Sequence, residues 1–265
     1  AQKELTKKLK KKSEFQLNQV YCTTTGQREF ELPYQNIVAL NEHASTLHYQ
    51  NLDRNPPDNF LSFLLDAGAT FNGYASDITR TISDENNHFD ALIKAMDGLQ
   101  KKLCSNTKSD VSFVFLNELA HQLLANVLEE HQLITSKAEE AYERGITRFF
   151  LPHGLGHLLG LQVHDRGGYL YSPSGSTEMP PTDHPFLRLT RSLHPGFVVT
   201  IEPGLYFIPS LLDQLRNCSL SNLINWAKVE TLIPYGGIRI EDNILVTCSE
   251  SVNLSRPALI KSGVS

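Results

Sequence analysis

The sequence lacks most of the features that would settle its class by themselves. Its four cysteines, Cys22, Cys104, Cys218 and Cys248, are far apart and form no C-x2-C pair. That argues against a zinc knuckle and against a dense disulfide framework, and they read as free thiols of a reducing cytoplasm. No apolar run approaches the roughly 18 residues that a membrane span needs. Positive charge is not in excess: the net charge is −5, which gives no sign of a nucleic-acid-binding domain. Ala1 to Lys12 is polar and lysine-rich, unlike a secretory signal, and there is no short-period repeat. What is there is 265 residues, 40% of them hydrophobic, enough for one large domain or two small ones.

The lysines at positions 3, 7, 8, 10, 11 and 12 form a helix-prone run without the apolar face of an interfacial helix, so they read as a solvated helix face or a linker. Ser13-Glu-Phe-Gln16 has the form of a capping box, predicting a helix that ends near Gly26. Asn36–Leu40 and Phe60–Leu65 read as buried strands. Thr70 to Ile82 reads as a hairpin partner of the second, turning at Asn72-Gly73. Phe89, Leu92, Ile93, Met96 and Leu99, then Leu116, Leu119, Leu123, Val127 and Leu128, recur at helical spacing, predicting two amphipathic helices on a sheet. His88, His121 and His131 lie in or beside them and are given no chemical role. Gly167 to Pro185 reads as an ordered loop, Phe197–Ile201 and Ile238–Val246 as strands, and Ile208 to Lys228 as a connection without period. Strands and helices mix without strict βαβ alternation, which predicts α+β with a largely antiparallel sheet.

The densest chemistry lies in Leu151-Pro-His-Gly-Leu-Gly-His-Leu-Leu-Gly-Leu-Gln-Val-His-Asp165, with His153, His157 and His164 among glycines. Imidazole is the commonest metal ligand and the usual proton shuttle near neutral pH. Four carboxylates stand elsewhere in short motifs. Asp66 and Asp77 flank the Asn72-Gly73 turn, where two carboxylates at close range repel unless a cation sits between them; alternatively each accepts backbone hydrogen bonds at a turn. Glu202 follows a buried strand and precedes Pro-Gly. Glu241 shares a strand face with Arg239 by period two, where a plain ion pair is the other reading. Together, four carboxylates and one histidine suit Mn, Co or Zn better than Ca, and two ions better than one. Four negative charges would then balance two divalent ions, with a bridging hydroxide as the reactive species.

Six motifs occur in order: Leu-Leu-Asp66-Ala-Gly, Tyr-Ala-Ser-Asp77-Ile-Thr-Arg-Thr, Pro-His153-Gly-Leu-Gly-His157, Gly-Leu-Gln-Val-His164-Asp, Thr-Ile-Glu202-Pro-Gly-Leu-Tyr and Gly-Gly-Ile-Arg239-Ile-Glu241-Asp-Asn. From about Ser13 to about Leu254 the chain resembles the catalytic domain of bacterial Xaa-Pro dipeptidases (prolidases). They belong to the metallopeptidase family that also contains aminopeptidase P, methionine aminopeptidase and creatinase. Gly-Leu-Gln-Val-His-Asp and Asn-Ile-Val-Ala-Leu-Asn-Glu-His point to the prolidase branch, close to enzymes also described as organophosphorus acid anhydrolases.

The resemblance implies a pita-bread fold, α+β with a curved, mostly antiparallel sheet and helices on its outer face. It implies that Asp66 binds one metal, that His157 and Glu202 bind the other, and that Asp77 and Glu241 bridge both. It places His48, His153, His164 and Arg239 in the substrate pocket, with Glu202, His164 and His153 as the catalytic set. The cofactor it implies is a pair of divalent ions, Mn2+ foremost, with Co2+ or Zn2+ as alternatives. The expected reaction is hydrolysis of Xaa-Pro dipeptides in the cytoplasm, with no nucleic-acid or membrane partner, a homodimer for the full-length family form, and a side activity on organophosphate esters. By the same resemblance residues 1–12 are the remnant of an interdomain helix, residues 13–265 are the catalytic domain, and the family's amino-terminal domain is absent. Two rival readings remain: an exopeptidase like aminopeptidase P or methionine aminopeptidase, and a pita-bread module that only binds.

Overall fold

The computed structural model describes residues 11–84, 87–172 and 174–261. Of the basic run, Lys3 to Lys10 lie outside them, as does most of the expected linker. Ser13 caps helix α1 (Glu14–Thr25): its hydroxyl accepts from the Gln16 amide at 3.3 Å while the Gln16 side chain accepts from the Ser13 amide at 3.0 Å. Gly26, at φ +69°, ends it, since only a residue without Cβ enters the left-handed region freely. Helix α1 covers an antiparallel sheet of order β1-β2-β5, made of β1 (Ile37–Leu40), β2 (Ser62–Asp66) and β5 (Thr79–Ser83). Alternate residues Val38, Leu40, Phe63 and Leu65 pack on Leu17 and Tyr21 of the helix, while Ile37, Ala39 and Leu64 face the other way, as strand period two requires.

The expected hairpin is there, but not as one unbroken pair of strands. β2 and β5 pair as far as Asp66–Thr79, and the register continues through Ala67–Ile78 to a separate tip, β3 (Thr70–Phe71) and β4 (Tyr74–Ala75), turning at Asn72 and Gly73. Asp77 therefore lies across from Gly68, diagonal to Asp66. The ribbon pinches there: a Cβ on Gly68 would lie 1.9 Å from the Ser76 carbonyl oxygen.

The larger core is built by α2 (His88–Asn106) and α3 (Phe113–Glu130), with α4 (Ala138–Glu143) beside them. Phe89, Leu92, Met96, Phe113, Leu116 and Leu124 pack against Val199, Ile201, Ile238 and Ile244, the helix-on-sheet arrangement that the apolar stripes predict. The sheet strands are β6 (Val198–Ile201), β7 (Gly204–Tyr206), β8 (Gly237–Arg239), β9 (Asp242–Leu245) and β10 (Val252–Asn253), all antiparallel. The single strand expected over Ile238–Val246 is two, broken at Ile240–Glu241. Its partner breaks at the same level, at Glu202–Pro203, because proline donates no ladder hydrogen bond. Ile201–Asp242 and Gly204–Arg239 share one register, which sets Glu202 opposite Glu241.

The aperiodic reading of Ile208 to Lys228 is corrected. The segment holds α5 (Pro209–Arg216), with proline at its amino end, and the start of α6 (Trp226–Leu232), capped by Asn225. They are short and bury few residues, Leu212 and Leu215 in one and Val229 and Leu232 in the other, too few to set up a visible period. α7 (Arg256–Lys261) closes the described chain. None of the described helices is long and apolar enough to cross a membrane. All four cysteines are free thiols.

Candidate metal and substrate site

Both ribbons leave regular strand structure beside their carboxylates, after Asp66–Thr79 in one and after Ile201–Asp242 in the other, and the two places meet. The Glu241 amide donates to the Thr79 carbonyl at 3.0 Å, and the Arg239 amide to the Thr81 hydroxyl at 3.0 Å. Asp66 and Asp77 thus approach from one sheet and Glu202, Arg239 and Glu241 from the other. The third side is the segment through His153 and His157. It lies along β6 by hydrogen bonds from the Thr200 amide to His157 O and from the Glu202 amide to Leu155 O, both 2.9 Å. Gly156 makes this approach possible, since a Cβ there would lie 2.1 Å from the Thr200 carbonyl oxygen.

All nine side chains expected in the site line one cavity of about 520 Å³: His48, Asp66, Asp77, His153, His157, His164, Glu202, Arg239 and Glu241. One donor atom each from Asp77, His157 and Glu241 lie within 4.8 Å of one another. His157 Nε2 stands 3.5 Å from both Asp77 Oδ2 and Glu202 Oε1. Its Nδ1 is 2.9 Å from the Leu158 carbonyl, an acceptor only, so Nδ1 carries the proton and Nε2 faces the carboxylates. A backbone carbonyl holding one ring nitrogen so that the other is free is the usual arrangement around a metal-binding histidine.

Arg239 does not pair with Glu241. Its Nη2 donates to Asp66 Oδ2 at 2.7 Å and its Nη1 to the Tyr206 hydroxyl at 2.9 Å. The Tyr206 hydroxyl in turn donates to His153 Nε2 at 2.8 Å, because His153 Nδ1 donates to Gly154 O at 2.8 Å. Both nitrogens of His153 are therefore engaged within the protein. Burial, then Arg239, pushes its pKa down to about 4, so the ring is neutral. His164 stacks edge-on to His157, centroids 4.5 Å apart, and desolvation with the nearby His157 and Arg188 lowers it to about 4. Desolvation, then Arg239 and Arg188, also lowers His48.

The carboxylates are short of positive charge. Burial raises Glu202 to about 7, with His157 opposing and Asp77 adding to the shift. Burial, then Asp77, Glu202 and Asp66, raises Glu241 well above the usual range. Asp66 is also raised, by burial and Asp77, despite Arg239. Tyr34 makes the shortage concrete. Its single hydroxyl proton lies between Asp66 Oδ1 at 2.7 Å and Asp77 Oδ1 at 2.5 Å. One O–H shared between two carboxylates gives each only part of a hydrogen bond, so the pair is short of a donor that an extra proton or a shared cation would supply. With an oxygen-rich donor set and one oriented imidazole, these residues fit divalent ions.

Sequence reasoning missed Tyr34, Tyr206 and Arg188. Tyr34 follows Pro33 in irregular chain and offers no pattern. Tyr206 sits inside the quoted Glu-Pro-Gly-Leu-Tyr motif, where its position was visible but its role was not. Arg188 lines the cavity wall with Phe186 and has no hydrogen bond or ion pair among the described residues.

The chain is 50% identical over 246 residues to the Xaa-Pro dipeptidase of Serratia proteamaculans and 49% identical over 246 residues to that of Escherichia coli, each alignment covering 92% of this chain and 56% of the relative. It thus spans little more than half the length of these curated relatives. Proline aminopeptidase P II from Yersinia pestis superposes with a TM-score of 0.72 at 27% identity, over 94% of this chain and 50% of that one. Aminopeptidase P of Escherichia coli does so with a TM-score of 0.70 at 25% identity, over 93% of this chain and 50% of that one. The α+β architecture is accordingly the pita-bread fold of those enzymes. Residues 1–248 match the profile of metallopeptidase family M24, a family that works with divalent metal ions, and the chain belongs to that family.

Proposed function

We propose that this chain carries the catalytic site of an Xaa-Pro dipeptidase that uses two divalent ions, Mn2+ foremost. The observation that carries the reading is the convergence of Asp66, Asp77, His157, Glu202 and Glu241, with more negative charge than the surrounding side chains neutralise. Asp66 would hold one ion, His157 and Glu202 the other, and Asp77 and Glu241 both. Bound there, the ions supply Lewis acidity toward a carbonyl oxygen and make a water acidic enough to act near neutral pH.

The protein's own groups divide the remaining work. Glu202, raised toward neutrality, is suited to take a proton from the nucleophile. His164 is neutral and makes no hydrogen bond among the described residues, so it is free to donate to the developing oxyanion or to pass a proton to the proline nitrogen. His153, with both nitrogens engaged, orients Tyr206 and through it Arg239. Arg239 is spent on Asp66 and Tyr206, which leaves Arg188 as the unpaired arginine lining the cavity among the described residues and the group for the substrate carboxylate. His48 lines the same cavity. An Xaa-Pro bond has no N–H, so a site that depends on ions and on the terminal carboxylate loses nothing by its absence. A phosphotriester presents a comparable electrophile, which supports the side activity.

The second reading, action on longer chains, is favoured by the likeness to aminopeptidase P. Turnover of Ala-Pro and Ala-Pro-Ala is to be compared after chelation, with and without added Mn2+. Mn-dependent cleavage of the dipeptide at least about tenfold faster supports the proposal. Faster cleavage of the tripeptide selects the second reading, and cleavage of neither removes both.

A further inference from the structure

One carboxylate outside the metal cradle ties together a part of the cavity wall. Glu14, in the first turn of α1, is 1% exposed. Its Oε1 accepts from the Leu40 amide and from His43 Nδ1, both at 2.8 Å. Its Oε2 accepts from the Tyr49 hydroxyl at 2.7 Å and the Asp53 amide at 2.8 Å. The rings of His43 and Tyr49 stack with centroids 4.6 Å apart, and the Phe15 amide donates to the Asp53 carbonyl at 3.1 Å. The segment that leaves β1 at Leu40 and returns at Asp53 is therefore gripped at both ends by the same two oxygens.

That segment carries Leu47, His48 and Gln50 into the cavity. His48 makes no hydrogen bond of its own among the described residues. Its placement is set by the backbone on either side, and the next residue, Tyr49, is one that Glu14 holds. Donor atoms of Glu14, His43 and Asp53 also lie within 4.8 Å of one another, as around a cation. With four donors already on the two oxygens of Glu14, the geometry is that of a clamp rather than of a metal site.

We propose that Glu14 is a positioning residue for the substrate pocket, fixing the loop of residues 41–53 so that His48 keeps its place in the cavity that Arg188 and His153 also line. The proposal rests on the Xaa-Pro reading only for the choice of substrate. Glu14→Gln keeps the volume but turns acceptor positions into donors that face N–H groups, so contacts are lost. In the Mn-loaded chain it is expected to raise KM for Ala-Pro about tenfold or more, the loss that charge-assisted bonds of this kind support, while kcat moves less than about threefold. In a His48→Ala background the same substitution should add nothing to the loss in kcat/KM, because the two act through one contact. Effects that multiply independently, or an unchanged KM, would overturn it.

Two readouts need no substrate. Amide exchange across 41–53 should accelerate about tenfold or more in Glu14→Gln while α2 and α3 stay protected. The rate at which diethyl pyrocarbonate modifies His48 should change while that of His164 does not. Unchanged exchange and unchanged His48 reactivity would refute the clamp whether or not Ala-Pro is the substrate. If the wild-type chain fails to cleave Ala-Pro but these two readouts move, the substrate reading fails and the clamp stands. Tyr49→Phe, which removes one bond and no charge, serves as the milder variant should Glu14→Gln not fold.

Discussion

Glu241 and Asp242 are consecutive and both fully buried, yet their surroundings drive their carboxyl groups in opposite directions. Asp242 accepts from Arg80 Nη2 at 2.6 Å, Gln100 Nε2 at 3.0 Å, Asn253 Nδ2 at 2.9 Å and Arg256 Nε at 3.0 Å. Burial pushes its pKa up, but Arg80 and Arg256 carry it below the ordinary value. Glu241, one residue earlier and on the cavity side, has Thr79 Oγ1 as its side-chain donor at 2.7 Å, and its neighbours are three more carboxylates. The protein supplies arginines where a buried negative charge holds strands together. Among the described residues it supplies none for the Glu241 carboxylate: Arg80 reaches only the Glu241 backbone carbonyl, and Arg239 is taken by Asp66. The missing compensation has to come from outside, and divalent ions fit the oxygen-rich donor set.

The contrast is broken most severely at Asp242. Asp242→Asn leaves Arg80 buried without its anion and Arg256 with Asp97 alone, and the chain is expected to lose about 3–5 kcal/mol in denaturant unfolding. Glu241→Gln in the metal-free chain should instead be neutral or stabilising, because it replaces a carboxyl that burial and its neighbours force to hold a proton. A loss comparable to that of Asp242→Asn would erase the distinction. In the Mn-loaded chain the order reverses: Glu241→Gln should lower kcat/KM for Ala-Pro by more than about 100-fold, the upper range even for groups that merely support a metal ligand.

A smaller effect sharpens the comparison through pH. Glu202 is raised to about 7, so the metal-free fold holds a proton there that the unfolded chain has released. A carboxyl with a raised folded pKa contributes stability fully below its unfolded value, and that contribution is lost as pH rises toward 7. Asp242, lowered in the fold, has the opposite sign: its contribution is lost as pH falls through its folded pKa. Thermal melts of wild type and Glu202→Gln with a chelator, at pH 5 and pH 7, should show wild type losing ground to the variant by several degrees, about what 1 kcal/mol produces in a domain of this size. A constant difference, or one of the opposite sign, would contradict the shift.

Much of this was legible in the sequence because strands with short motifs write their chemistry locally. Asp66, Asp77, His157, Glu202 and Glu241 each sit beside a proline, a glycine or a β-run that announces a strand end, and they share one cavity. The coincidence of the breaks was not legible. Nothing in Ile-Arg-Ile-Glu-Asp says that the strand is interrupted after Arg239, where the Ile240 amide still reaches the Pro203 carbonyl at 3.3 Å but proline returns no bond, since that depends on Pro203 in the partner strand. Tyr34, Arg188 and Glu14 were invisible for a related reason. Tyr34 and Glu14 act through partners distant in the chain and Arg188 has none among the described residues; each lies in a stretch without periodicity or at the first turn of a helix, where an acidic residue is ordinary. The short helices around Leu212 and Val229 escaped because two buried residues do not make a period.

The central claim is that the cradle carries protons in place of cations until metal arrives. The most direct test is calorimetric titration of the metal-free chain with Mn2+ at pH 6.5, repeated in buffers of different ionisation enthalpy. The account predicts two ions bound per chain with release of at least about one proton, because ligands with raised carboxyl groups, Glu202 to about 7 among them, must deprotonate to bind. Binding of two ions with no proton released, or no binding at all, would contradict it.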